Sequence, residues 1–84
     1  MPEYLVELYV SGANADEVSE EVVRARGAAE QCGIGLLRAF FIPEDETCFC
    51  FYAAQSGGVV NEAVTRAGLH AERIVEAIPA PFEG

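Results

Sequence analysis

Eighty-four residues, 51% apolar and 23% charged, make one small domain and are too rich in apolar residues for a disordered chain. Fourteen acids stand against five bases, and the formal charge of −9 disfavours nucleic acid and anionic membrane surfaces as partners. Cationic ligands, metal ions or a basic protein are electrostatically easier.

The N-terminus opens on an acidic, alternating segment rather than a charged-then-apolar leader, and no apolar run nears the roughly 18 residues of a membrane helix. Three cysteines are an odd number, and two of them, Cys48 and Cys50, stand two apart. On an extended strand their Cα atoms lie about 6.5 Å apart, which strains a disulfide. All three therefore read as thiols, and the expected location is a reducing cytoplasm.

In chain order, Glu3 to Val10 alternate, with Tyr4, Val6, Leu8 and Val10 on one face and Leu5, Glu7 and Tyr9 on the other. After the turn Ser11-Gly12-Ala13, Asn14 with Glu17 three residues on reads as a capping box. The helix it opens carries the stripe Val18, Val22, Ala25, Ala29 and Cys32, and Gly33 closes it. A second strand from about Ile34 to Ile42 sets Leu36, Arg38, Phe40 and Ile42 against Leu37, Ala39 and Phe41. Pro43 to Glu46 is a short acidic connection. The third strand, Thr47 to Ala54, holds six uncharged residues in a row from Cys48 to Ala53, which suits a strand covered on both faces. Ser56 caps a second helix with the stripe Val60, Ala63, Val64 and Ala67, in which Glu62 and Arg66 stand at i,i+4. Gly68 ends it, Leu69 to Arg73 connect, and Ile74 to Ile78 form the last strand before the Pro-rich tail 79–84.

The order βαββαβ is the ferredoxin-like arrangement of the α+β class: a four-stranded antiparallel sheet with both helices on one face. The other face is bare in a single chain. Placing each strand's charged side there gives Leu5, Glu7 and Tyr9, then Leu36, Arg38, Phe40 and Ile42, then Ile74, Glu76 and Ile78. In the third strand no charge forces the choice; Phe49, Phe51 and Ala53 are assigned to the same face, with Cys48, Cys50 and Tyr52 beneath the helices. So apolar a face calls for a partner chain or a ligand.

The strand Cys50-Phe51-Tyr52-Ala53-Ala54, followed by Arg66-Ala67-Gly68-Leu69 and Arg73-Ile74-Val75-Glu76-Ala77, resembles a family of small bacterial proteins. Its members carry a Cys-x-Tyr-x-Ala strand, an A-G-f/l helix end and an r-I-x-E-v last strand. Most bear only a domain-of-unknown-function label, and some are described as nickel-binding. The opening Met1-Pro2-Glu3-Tyr4-Leu5-Val6-Glu7 matches as well, so the resemblance spans nearly the whole chain. It implies a ferredoxin-like fold of the dimeric α/β-barrel kind and a bound nickel or other divalent transition metal. Histidines common in the family fall here on Arg38 and Glu62, and its usual proline is His70.

Candidate sites follow from these placements. Cys48 and Cys50, with His70, are the candidate metal ligands, since thiolate and imidazole suit borderline and soft ions. The competing reading makes both cysteines small buried hydrophobes and His70 a solvated loop residue. Glu7, Tyr9, Arg38, Phe40, Phe49, Phe51 and Glu76 form the candidate ligand or dimer face. Its charges must pair if a partner covers them. Ser56-Gly57-Gly58 is a helix cap, lacking the lysine and glycine spacing of phosphate loops. The expectation is a small ligand- or metal-binding protein acting as a homodimer or higher homo-oligomer. Its rivals are a small dimeric α/β-barrel enzyme with a hydrophobic substrate, using Glu7, Arg38 or Glu76, and a structural subunit.

Overall fold

A computed structural model describes residues 1–81. The elements run β1 (Glu3–Tyr9), α1 (Ala15–Gln31), β2 (Gly35–Ile42), a single 3-10 turn (Pro43–Asp45), β3 (Thr47–Ala53), α2 (Gly57–Arg66) and β4 (Ala71–Ala77). Strand order is β2-β3-β1-β4 and every pair is antiparallel. This is the ferredoxin-like βαββαβ arrangement expected from the element order. Of the tail 79–84, Pro79 to Pro81 follow the last strand without regular structure and 82–84 lie outside the described residues.

Local chemistry sets the boundaries. The Asn14 side chain accepts from the Glu17 N–H at 2.9 Å, and the Glu17 carboxylate accepts from the Asn14 N–H at 3.1 Å, a complete capping box. Ser56 caps α2 by accepting from Val59. Gly33 and Gly68 follow the two helices with φ of 73° and 77°, where a side chain would be strained. Glu46 holds a left-handed backbone between the 3-10 turn and β3. Its carboxylate accepts from the Gly12 N–H at 2.6 Å, and its carbonyl from the Val10 N–H at 2.8 Å. One residue thus ties the β2–β3 hairpin to the turn after β1.

The core between helices and sheet is built from small residues. Val6, Leu8, Cys48, Cys50, Tyr52 and Ala54 of the sheet side meet Val18, Ala29, Val60, Ala63 and Val64 of the helices. Tyr52 is the core's largest fully buried side chain. Phe40, Phe49 and Phe51 lie on the other face of the sheet.

Two edge irregularities shift the expected faces. In β2, Leu36 pairs with Tyr52 and Arg38 with Phe51, leaving Leu37 as an extra, bulged residue. Leu36 therefore packs against the helix-side core, whereas strict alternation put it on the open face. In β4, Ala71 pairs with Leu8 and Arg73 with Glu7, which leaves Glu72 bulged. The last strand begins three residues earlier than expected, and its phase is reversed. Ile74 sits opposite Val6 and Glu76 opposite Tyr4, on the helix side, so neither belongs to the open face. Glu76 remains exposed because β4 is an edge strand, where its side chain still reaches water. Ile78 lies beyond the strand.

Candidate functional site

The open face of the sheet gathers residues from all four strands. From β1 come Glu3, Leu5, Glu7 and Tyr9; from β3, Thr47, Phe49, Phe51 and Ala53. β2 adds Arg38, Phe40 and Ile42, and β4 adds Arg73, Val75 and Ala77. The middle of the face is aromatic: Phe40 meets Phe51 edge to face with ring centres 6.3 Å apart. The guanidinium of Arg38 lies over the Phe51 ring at 4.5 Å from its centre. It reaches across β3 to the Glu3 carboxylate on β1 at 3.4 Å. On the other side Arg73 meets Glu7 at 3.6 Å.

Of the residues assigned to this face from sequence, the structure brings Glu7, Tyr9, Arg38, Phe40, Phe49 and Phe51 together and removes Glu76. It adds Glu3 and Arg73. Glu3 shares the phase of Leu5 and Glu7, so alternation alone could have found it. Arg73 was hidden by starting the last strand at Ile74. Tyr9 and Phe40 are more than half exposed, at 57% and 53%, which for aromatic side chains on a flat sheet leaves a large apolar area in water.

The cysteines lie on the opposite face. Cys48 and Cys50 project under the helices, fully buried, with their sulfurs 3.9 Å apart. His70 is exposed in the short link before β4. No cluster of three His, Cys, Asp or Glu side chains among the described residues could hold a metal ion. Nickel favours imidazole and several ligands at once, so the donors of one chain do not fit it.

The thiol pair titrates unusually. The hydrogen bond shared with Cys48 holds the Cys50 thiol far above its ordinary range, and burial pushes it further. The same bond acts to lower Cys48, against burial and the charge of Glu21. Burial also raises the Tyr52 phenol, helped by charge on the two thiols. The native protein therefore keeps the Cys50 proton, which the unfolded chain gives up above about pH 8.5. The unfolded state then binds fewer protons, so stability is present below that pH and is lost as pH rises. The expected slope is about 1.4 kcal/mol per pH unit from there upward. Urea melts at about pH 7.5 and 9.5 measure it, and Cys50→Ser should flatten the difference; an unchanged slope would contradict a buried, protonated Cys50.

A family described as "Nickel responsive protein SCO4226-like" matches residues 4–77. The chain belongs to this family. Among solved structures, that of SCO4226 from Streptomyces coelicolor A3(2) superimposes with a TM-score of 0.85. The two are 18% identical, and the alignment covers 94% of this chain and 99% of that one. At that identity the likeness establishes the shared fold. No curated protein matches the sequence. The nickel-responsive, ferredoxin-like family expected from the Cys-x-Tyr-x-Ala strand and the Ala67-Gly68 helix end is thus the one found. No helix among the described residues is long and apolar enough to cross a membrane.

Proposed function

We propose that the protein is a non-catalytic binding protein that works as a homodimer closed through the open sheet faces, with nickel as the ion its family name suggests. The observation that carries this reading is where the chain places its aromatic residues. Phe40, Phe49 and Phe51 face away from both helices, whereas the fully buried helix-side core holds aliphatic residues, two cysteines and Tyr52, with Phe41 and Tyr4 only at its margin.

Charge favours a second copy of the same chain as the occupant. The open face carries Glu3 and Glu7 against Arg38 and Arg73, so it is neutral and already internally paired. The remaining 12 acids and three arginines, from 14 and five, hold the whole formal charge of −9 elsewhere. Two copies approaching by any other surface repel, and by this one they do not. The bulges at Leu37 and Glu72 disrupt both sheet edges, which discourages edge-to-edge pairing and leaves the flat face as the site of association.

One chain gathers too few donors for nickel, so a nickel site would have to be completed across subunits, with His70 the single imidazole each contributes. Light scattering at micromolar concentration is expected to give at least twice the 9.0 kDa chain mass. A single-chain mass would end the dimer reading. Calorimetry with nickel, zinc and cobalt on tag-free protein tests the metal separately; no heat beyond dilution removes nickel and leaves the dimer standing.

A further inference from the structure

The described core contains two buried polar atoms without a hydrogen-bond partner, the Tyr52 hydroxyl and Glu21 Oε2. Both belong to side chains beside the thiol pair. Tyr52 follows Cys50 by two residues on the same face of β3, and Glu21 of α1 is close enough to Cys48 for its charge to act on that sulfur. In an otherwise apolar layer, Cys48, Cys50, Tyr52 and Glu21 therefore form one polar cluster. An orphaned hydroxyl in such a place has a cost, and it is repaid only when an acceptor appears.

The cluster is not sealed. A groove of about 360 Å³ runs between the first half of α1 and β2, and Cys48 lines it with Val18, Val22, Ala39 and Phe41. Its walls are nearly all apolar, so it offers a path to a sulfur without offering competing hard ligands.

We propose that Cys48 and Cys50 form a two-coordinate site for a soft monovalent d10 cation, copper(I) being the physiological example. Two sulfurs 3.9 Å apart on one strand face need to separate by only about 0.7 Å, a small side-chain rotation, to span two collinear bonds of about 2.3 Å to a shared metal. Divalent nickel and zinc require more ligands than the described residues assemble. Copper(I) is satisfied by two thiolates, and soft sulfur ligands select it. Binding releases the two thiol protons to solvent and leaves a bis-thiolate complex of charge −1.

All donors lie in one chain and on the helix side, so this site does not depend on the dimer or on nickel. The test is an anaerobic competition with a chromophoric copper(I) chelator, followed by the thiolate-to-copper absorption in the ultraviolet. Wild-type protein and Cys32→Ser are expected to take one equivalent, and Cys48→Ser and Cys50→Ser to take none. Cys48→Ala and Cys50→Ala provide the same loss without a buried hydroxyl, and far-UV circular dichroism verifies folding of each variant. Silver(I) serves as a redox-inert second probe with the same expected pattern. Failure of wild-type protein to draw copper(I) from the chelator overturns the proposal, as does binding that survives loss of Cys50 or vanishes with Cys32.

Discussion

Phe51→Asp is expected to yield a folded monomer. Phe51 stands at the centre of the open face, between Leu5 on β1 and Arg38 on β2, with Phe40 against its ring edge. In a dimer closed through this face the new carboxylate would lose its water, and an unpaired buried charge costs several kcal/mol. A two-fold interface contains the change twice. At about 1.4 kcal/mol per tenfold, the two together weaken association by more than about a thousandfold. The isolated subunit barely notices. Its open face is wet, Arg38 already lies over this position, and the lower strand preference of Asp costs about 1 kcal/mol or less. Light scattering with far-UV circular dichroism separates the outcomes. A native spectrum at one chain mass is expected, and an unchanged oligomer would show that the subunits meet elsewhere. Phe40→Glu, on the edge strand and more exposed, provides a milder version of the same test.

Substitutions at Tyr52 should split in sign. Tyr52→Ala removes the largest buried side chain of the core and is expected to cost about 3–5 kcal/mol, as aromatic truncations do. For a domain of this size that is a large share of a total near 5–15 kcal/mol, enough to leave much of the protein unfolded at 37 °C. Tyr52→Phe keeps the ring and deletes only the unpartnered hydroxyl. Relief of that buried polar group is expected to stabilise by about 1 kcal/mol, or roughly 4–8 °C in Tm. Thermal melts of the two variants beside wild type measure both. A destabilised Tyr52→Phe would mean that the hydroxyl has a partner in solution.

The contrast between those two residues, neighbours on β3, shows what was legible in the chain. Alternation set Leu5, Glu7 and Tyr9 on one face of β1 and grouped Phe49 with Phe51 against Cys48, Cys50 and Tyr52 in β3, because central strands carry no irregularity there. The uncharged β3 left open which of its groups lies under the helices. The edge strands were less readable. A bulge is a single extra residue, and nothing in Leu36-Leu37-Arg38 or in Ala71-Glu72-Arg73 marks which residue is extra. The β2 bulge is how Leu36 was misplaced. Ile74 and Glu76 were misplaced by assigning the last strand's charged side to the open face, and Arg73 was overlooked by starting that strand at Ile74.

By itself, then, the sequence determined the elements, their order, both helix caps and the alternation within the two central strands. These follow from local periodicity and from hydrogen bonds between residues three or four apart. The tertiary structure alone decided the edge-strand phases, the Glu3–Arg38 and Glu7–Arg73 pairs and which side of β3 lies under the helices. Those depend on residues tens of positions apart being brought together across the sheet and between its layers. Local preference does not specify such contacts; the register of the whole sheet does.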